Sequence, residues 1–532
     1  MGSFSQSSFD IAWGLLAPVT IVLVAGALGV LLEAFVPRRA RWRVQAIFTP
    51  AVLALALVAF VFAYAGTPLR DGVDPVMISA GGSSVGTGEL VVDGLAAGGQ
   101  AIILVIALLS VLVVIDRTRS HASAFAGQPS DVPGSFEEEQ TERRAYQRSE
   151  ILPLLLLSTG GMMLFPMCSS MLTLFVALEV MSLPLYVLCA TARHRRLLSQ
   201  EAAIKYFILG AFSSAFFLMG IAFLFGYAGT LSIADLARSI SAGTGPDLLL
   251  IGGIVMVAVG LLFKVGAAPF HAWTPDVYQG APTPVTGFMA AGVKAAAFLA
   301  LVRFYFTVVA QMREHMTIIM WAVIILTIVV GTFFGLVQDN VKRMLAYSSI
   351  AHAGFILIAV QSYDSKALAA TLFYVLSYGL ATIGAFGIIM LVRRATRQGV
   401  IEAEQHDMRE WAGLGRTHPW LAVPMVVFLL SFAGIPLTSG FIGKWLAFAA
   451  GVSGGLVPLV IVAVVASAIT AFYYFRLVKV MFLDEPTEAT AVVTAQGTAT
   501  AAIAMCAIAT VLLGVFPGPV LDLLARAVIV VL

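Results

Sequence analysis

The stretch LLLIGGIVMVAVGLLF, residues 248–263, has no charged side chain and runs directly into Lys264. A helix that crosses a bilayer needs about 20 predominantly apolar residues, and this stretch is long enough once the following VGAAPF is included. A lysine at the centre of such a helix costs about 2.5–3.5 kcal/mol on insertion scales, so it usually lines a water-filled path or pairs with a buried acid. The stretch therefore predicts a membrane-spanning helix with a functional charge.

The composition of the whole chain indicates a polytopic membrane protein. Of its 532 residues, 60% are hydrophobic and 11% are charged, whereas about a quarter of the residues of a soluble protein are charged. The net charge of +2 is spread over short loops, and no basic domain for nucleic acid is present. We expect an all-α polytopic membrane protein with about fourteen transmembrane helices, because the sequence lacks the short alternating segments of a β-barrel.

The apolar runs predict individual spans and their orientation. They lie near residues 12–35, 46–64, 95–115, 151–166, 170–191, 202–228, 248–269, 284–309, 317–337, 344–361, 367–392, 419–450, 455–482 and 498–516. Lys and Arg cluster in alternate loops, at residues 37–43, 116–150, 193–196, 341–343 and 393–397. Since cytoplasmic loops carry the excess of Lys and Arg, both termini are expected on the outer side.

An internal repeat relates two parts of the chain. The sixth span can be laid on the eleventh, and the same offset lays Pro269 on Pro436. Units of five spans have an odd number of crossings, so consecutive copies face opposite ways, as in transporters with inverted repeats. Each proline lies among small residues (VGAAP and AGIPLTSG) and predicts a broken helix. The expected divisions are an N-terminal three-helix segment with the charged cytoplasmic loop 116–150, two inverted repeats and a C-terminal helix segment, at residues 1–150, 151–310, 311–483 and 484–532.

Five charged side chains interrupt the apolar spans, namely Glu179, Lys205, Lys264, Lys294 and Lys444. Burial disfavours the charged form of a lysine, so a buried lysine can release and regain a proton near neutral pH. Each charge also has a structural interpretation: Glu179 could lock two helices in an ion pair, and Lys205 could reach the inner interface instead of bending toward Glu179. The pattern favours a proton relay.

Histidine and the loop after the first predicted break supply further candidates. His352, in YSSIAHAGFIL, suits proton transfer near neutral pH, although a hydrogen-bonded core histidine is the plainer interpretation. His271 and Asp276 either gate proton entry or cap helices. Lys342 and Arg343 are expected only to mark the cytoplasmic end of the tenth span.

The sequence predicts no cofactor and no metal ion in this chain. Cys168, Cys189 and Cys506 are isolated in apolar segments, without the spacing that holds zinc, an iron–sulfur cluster or a disulfide framework. Phosphate-binding motifs of the P-loop or Rossmann type are also missing. Any redox chemistry is therefore expected on another chain.

The sequence around the first predicted break resembles a known family. FKVGAAPFHAWTPDVYQGAPTPVT (residues 263–286), with LEVMSLPLYVL upstream and NVKRMLAYSSIAHAG downstream, is similar to antiporter-like subunit N of the bacterial proton-pumping NADH–quinone oxidoreductase, respiratory complex I. The resemblance covers residues 151–482. It implies a membrane-arm subunit whose hydrophilic axis contains Glu179, Lys264, Lys294 and Lys444, with Lys205 as a further match.

The same resemblance implies partners and a driving force. FMN, iron–sulfur clusters and quinone are expected in partner subunits, the neighbours include subunits M and K, and the location is the bacterial inner membrane. Electron transfer from NADH to quinone in those subunits would drive the transport. A subunit of a multi-subunit cation/proton antiporter is the alternative, and a passive membrane-arm scaffold, which would tolerate Met or Gln at the buried charges, is a third interpretation.

The expected proton route uses the buried charges in order. A proton enters from the cytoplasm near the first broken helix and reaches Lys264, while Glu179, paired with Lys205 or Lys264, adjusts how tightly the lysine holds it. It then passes through Lys294 and His352 to Lys444, which releases it outward. Ser431 is aligned with Lys264 in the second repeat, so we expect an asymmetric relay.

Overall fold

The computed structural model describes most of the chain, namely residues 13–65, 76–78, 88–116, 124–125, 136, 148–192, 196–243, 245–364, 366–395, 401–486, 490–492 and 497–525. The predicted cytoplasmic loop 116–150 and the basic cluster 193–196 lie mostly outside the described residues. The helices are α1 (Trp13–Phe35), α2 (Arg38–Ala65), α3 (Gly94–Val114), α4 (Ile151–Leu164), α5 (Met171–Cys189), α6 (Arg196–Ala228), α7 (Ile233–Ala242), α8 (Asp247–Val265), α9 (Trp273–Gly280), α10 (Thr283–Phe288), α11 (Lys294–Thr307), α12 (Arg313–Leu336), α13 (Val341–Gln361), α14 (Ala367–Leu391), α15 (Leu414–Thr417), α16 (Pro419–Ala433), α17 (Ser439–Ser453), α18 (Val457–Leu483), α19 (Thr498–Val515) and α20 (Gly518–Ala525).

Short irregular turns and strands connect these helices. A π-helical turn (Met289–Val293) joins α10 to α11, and 3-10 turns lie at Phe165–Met167, Val309–Met312 and Met408–Trp411. The described strands are β1 (Val76–Ile78), β2 (Leu90–Val92), β3 (Val392–Ala395), β4 (Ile401–Glu404) and β5 (Thr490–Val492). β1 pairs antiparallel with β2, and β3 lies between β4 and β5 in a second antiparallel sheet. The strands belong to loops, and the membrane part is helical.

The helices are those of a multi-pass membrane protein. Within the described residues, twelve helices are long and apolar enough to cross a membrane, or thirteen if the pair Met408–Thr417 and Pro419–Ala433, bent by 120°, forms one span. The predicted all-α polytopic fold is confirmed, because a helix satisfies its own backbone hydrogen bonds in lipid. The predicted count of about fourteen is not confirmed. The 14 residues of α4 and the 15 residues each of α16 and α17 fall short of a single span.

Two helices break where the prolines predicted. α8 ends at Gly266 (φ 75°) and α16 at Gly434 (φ 80°), both left-handed. In each, the glycine N–H donates to the carbonyl four residues earlier, and the next N–H donates to the carbonyl five residues earlier. This is the Schellman arrangement, which ends a helix and satisfies its last carbonyl groups. The first helix resumes as α9 and the second as α17, so the two repeats share one device for the break.

The most polar helices occupy the centre of the bundle. The continuous span α10–α11 is completely buried and α13 and α14 are almost completely buried, whereas most of α2 faces outward. The outward faces of α2 and α6 carry large apolar side chains such as Ile47, Phe62 and Phe212. Apolar helices therefore separate the central charges from the surrounding lipid or neighbouring subunits, where an uncompensated charge would be costly.

Candidate functional site

Lys264 lies in the last turn of α8 and is 2% exposed. Its Nζ donates to Ser182 Oγ at 2.8 Å and to Tyr186 OH at 3.4 Å, both on α5. The centre of the Tyr206 ring lies 5.6 Å from Nζ, and an aromatic face attracts a cation. Hydroxyl oxygens accept from an ammonium group and can donate to a neutral amine. The pocket can thus hold the lysine in either protonation state.

Glu179 lies on the same face of α5, three and seven residues before Ser182 and Tyr186. Its Oε1 accepts a hydrogen bond from Ser214 Oγ of α6 at 2.5 Å, and the residue is half-buried. Glu179 interacts electrostatically with Lys264, but no ion pair joins it to Lys264 or Lys205 within the described residues. The acid and the lysine are linked through the hydroxyl groups of α5.

Lys205 contacts a different acid from the predicted Glu179. Its Nζ lies 2.6 Å from Asp276 Oδ2 and 2.6 Å from Glu201 Oε1, and its side chain is 40% exposed. Arg343 Nη1 of α13 donates to the other oxygen of Asp276 at 2.6 Å. Asp276 therefore joins α6, α9 and α13 and does not cap a helix, while His271 lies in the break between α8 and α9.

Lys294 begins α11 directly after the π-helical turn and is 5% exposed. Its Nζ donates to the main-chain oxygen of Ser349 on α13 at 2.5 Å. The centre of the Tyr378 ring lies 5.5 Å from Nζ. π-Helical turns inside α-helices are rare and often occur at functional sites. Here the turn precedes a lysine that points into the centre of the bundle.

His352 lies on α13 between two tyrosine hydroxyl groups and is 3% exposed. Its Nδ1 lies 2.9 Å from Tyr374 OH, and its Nε2 lies 3.4 Å from Tyr474 OH. The Tyr474 hydroxyl also bonds to Ser348, the neighbour of the residue that holds Lys294. His352 interacts electrostatically with both Lys294 and Lys444. It is therefore placed between the two lysines.

Lys444 lies on α17, just past the second helix break, and is 5% exposed. Its Nζ donates to Ala433 O at 2.9 Å and to Ser467 Oγ at 2.7 Å. Ala433 is the last residue of α16, so the lysine satisfies a carbonyl group at the helix end, where a cation is favoured by the helix dipole. Lys444 is bound to the break itself.

The two breaks differ in the side chain that faces the centre. Lys264 precedes its capping glycine by two residues, and Phe432 precedes the other capping glycine by two. Superposing the caps pairs Lys264 with Phe432, one residue beyond the predicted Ser431, because the second loop has one residue fewer between glycine and proline. The Phe432 ring centre lies 5.8 Å from that of His352. The aligned position is apolar, so the second half has no lysine there.

A cluster of charged side chains that the sequence analysis missed lies at the end of α13. Lys342 is 1% exposed, and its Nζ donates to Ala281 O at 2.7 Å and Thr283 Oγ1 at 3.2 Å. The expectation that Lys342 only marks a helix end is therefore wrong. Thr283 also donates to Glu404, whose Oε2 lies 3.1 Å from His406 Nε2. Arg393 of β3 is buried beside them.

These contacts keep Glu404 ionised. Burial by itself would raise the pKa of Glu404, but the hydrogen bond with His406 and the charges of Arg393 and Lys342 hold that pKa well below its usual range. The sequence gave no sign of the cluster, because hydropathy does not distinguish a buried charge in a polar loop from a solvated one. Within the described residues, no group of three or more His, Cys, Asp or Glu could hold a metal ion.

Comparisons with known proteins agree with this site and fold. Residues 168–470 match the family described as NADH:quinone oxidoreductase/Mrp antiporter, transmembrane. NADH-quinone oxidoreductase subunit N of Beutenbergia cavernae is 50% identical over 529 residues, which are 97% of this chain and 98% of that protein. A chain of respiratory complex I from Thermus thermophilus with bound aureothin is 32% identical, with a TM-score of 0.74 over 96% of this chain and 100% of that one.

A chain of the Mrp complex from Dietzia sp. has the same fold, with a TM-score of 0.78 at 22% identity over 96% of this chain and 97% of that one. The broken helices and the buried lysines thus define the class of antiporter-like membrane subunits. Within that class, the chain belongs to the subunit N family of NADH-quinone oxidoreductases.

Proposed function

We propose that this chain translocates protons across the membrane as a subunit of an NADH–quinone oxidoreductase. The observation that carries the proposal is the series of buried basic side chains at the centre of the bundle, Lys264, Lys294, His352 and Lys444. Each is 5% exposed or less and is held by hydroxyl or carbonyl oxygens. Such costly groups in membrane helices usually serve an ion path.

The proton enters from the cytoplasm near the first break and is taken up by Lys264. It moves laterally to Lys294, then by way of Ser348, Tyr474 and His352 to Lys444, which releases it on the outer side. The hydrogen bonds from Lys294 to Ser349 and from Tyr474 to Ser348 support the middle of this route. Hydroxyl groups can both donate and accept, which a proton relay requires.

Glu179 and Lys205 act at the entry of the route. Glu179 favours the charged form of Lys264 through space, and a change in its distance from the lysine would change how tightly the proton is held. Lys205 acts through Asp276, its partner in this structure, and so adjusts α9 instead of Glu179. The entry residues therefore form two separate contacts.

The chain lies in the bacterial inner membrane with both termini on the outer side, as the alternating Lys and Arg clusters favour. Its two inverted repeats occupy residues 151–310 and 311–483, and the outer surface contacts other membrane-arm subunits, including M and K. FMN, iron–sulfur clusters and quinone belong to partner subunits of the complex. Electron transfer there drives the transport.

Replacement of Lys264 by alanine in the intact complex tests the proposal. We expect Lys264→Ala to remove most NADH-driven proton pumping in inside-out membrane vesicles while the complex still assembles. Lys366→Ala is the matched control, because Lys366 is exposed and at a helix end. Normal pumping by the Lys264 variant would rule out the proposed route.

The likeness in fold to an Mrp complex chain keeps a second function open, that of a subunit in a gradient-driven cation/proton antiporter. Co-purification of the chain with flavin and iron–sulfur subunits would favour the oxidoreductase. A passive scaffold would instead tolerate methionine at Lys264, Lys294 and Lys444 without loss of pumping.

A further inference from the structure

A small charged cavity lies away from the proposed entry at Lys264. It has a volume of about 30 Å³ and is lined by charged side chains from three elements, Lys342 of α13, Arg393 of β3, and Glu404 and His406 of the segment that follows β3. A cavity needs roughly 10–15 Å³ for each water, so this one has room for about two. The Glu404 side chain is 13% exposed, so the cavity reaches the surface that carries the Lys and Arg clusters.

We propose that His406, with Glu404 as its fixed counter-ion, is a second proton-uptake site that supplies Lys294 directly. The proposal rests on the proposed function, since it adds an entry to the same relay. His406 takes a proton from water at the cytoplasmic surface and becomes an imidazolium. The proton then passes inward along hydroxyl groups, each of which accepts one proton and releases another, to the neutral amine of Lys294, and His406 returns to its neutral form.

The groups around His406 suit a proton that is held briefly. Glu404 Oε2, 3.1 Å away, favours the imidazolium, whereas Lys342 and Arg393 on the neighbouring elements oppose it. Thr283, on α10, faces the same carboxylate. Histidine is the side chain whose charge ordinarily changes between pH 5 and 8. The opposing charges therefore let this histidine load and unload in the physiological range.

Main-chain hydrogen bonds fix the segment that carries the histidine. Val341 N–H donates to His406 O at 2.8 Å, which ties the segment to the first turn of α13. Gln405 N–H donates to Val392 O at 2.9 Å, and the buried Trp411 donates from Nε1 to Gln405 O at 2.9 Å. The imidazole is thus preorganised in the wall of the bundle.

A series of polar groups connects the cavity to Lys294. Thr286 Oγ1 donates to Pro282 O at 3.2 Å and to Tyr278 O at 3.3 Å, one turn inward from Thr283. Tyr278 OH lies 3.4 Å from Ser349 Oγ. Lys342 and Ser349 are seven residues apart on one face of α13, so the cavity lies about 10 Å from Ser349 along the helix axis. Lys294 donates to Ser349 O.

The test uses the intact complex in inside-out vesicles, with NADH-driven proton pumping measured against the pH of the outer medium. We expect His406→Gln to slow pumping about tenfold above neutral pH, as for loss of a proton-transfer group, and to recover as the medium is acidified. Tyr278→Phe keeps the ring and should show the same pH-dependent loss if His406→Gln does not assemble. The control is His418→Gln, an identical change at a histidine that contacts only Thr417 among the described hydrogen bonds.

A pH profile of His406→Gln or Tyr278→Phe that matches the control would overturn the inference. A uniform loss at every pH would also overturn it, because it would indicate a structural role alone. If Lys264→Ala loses pumping while both variants keep the control profile, the proposed function stands and only the second entry fails. If Lys264→Ala pumps normally, the proposed function itself fails.

Discussion

At the scale of the residue, charge in an apolar span was a sound guide to burial and a poor guide to pairing. Lys264, Lys294 and Lys444 are all buried as expected. Their partners are hydroxyl and carbonyl oxygens, which are abundant in the sequence and carry no hydropathy signal. The acid chosen for Lys205 was wrong, because α9 brings Asp276 to it across the first break.

The contact of Lys205 with Asp276 leads to a test of non-additivity. We expect Lys205→Met and Asp276→Asn to reduce pumping by similar factors, and the double variant to be no worse than either, since residues that act through one contact do not add. The stability change should be small, about 0–1 kcal/mol, because both side chains are partly exposed. Pumping rates and thermal denaturation of the purified complex give the two readouts. Additive losses of pumping would show that Lys205 acts through another residue.

At the scale of the element, the two broken helices were predicted from proline and small residues, and the structure has both. The capping glycines, not the prolines, set the register of the two halves. Gly434 also has a second role, since a Cβ at this position would lie 2.8 Å from Lys444 Cδ. The break and the lysine are therefore one structural unit, which a proline pattern does not reveal.

Alanine at Gly434 separates these two roles. A non-glycine residue at φ 80° costs about 1–3 kcal/mol of strain, and the Cβ would also displace Lys444 from Ala433 O. We expect Gly434→Ala to lower both the thermal stability and the pumping rate. Gly455→Ala is the matched control, because Gly455 has the same φ of 80° and no atom within 4 Å of the added Cβ. Equal pumping by the two variants would count against a role for the Lys444 position.

At the scale of the whole molecule, a buried ion pair joins the N-terminal helices to the first repeat. Arg303 of α11 donates from Nη1 and Nη2 to both carboxylate oxygens of Asp93, at 2.9 and 2.8 Å, and from Nε to Pro166 O at 2.8 Å. The side chains are 5% and 1% exposed. Such a bidentate contact fixes both distance and angle. It holds α3 against the completely buried span that carries Lys294.

Loss of this pair should destabilise the assembled protein. Removing one partner of a buried pair costs about 3–5 kcal/mol, because the remaining charge stays buried. We expect Asp93→Asn to lower the denaturation temperature and the yield of assembled complex. Asp235→Asn, which removes the partner of the exposed Arg238, should change stability by about 0–1 kcal/mol. Similar effects of the two variants would contradict the proposed role of Asp93.

The sequence by itself determined the membrane class, the position of the helices, the two breaks and the buried charges of the axis. Each of these follows from local properties, namely hydropathy over a span, proline among small residues, and a charge in an apolar run. Only the tertiary structure decided the partners: Ser182 for Lys264, Asp276 for Lys205, and the cluster of Lys342, Glu404 and His406. Contacts between helices depend on how faces are oriented across the bundle, and a linear pattern does not specify that orientation.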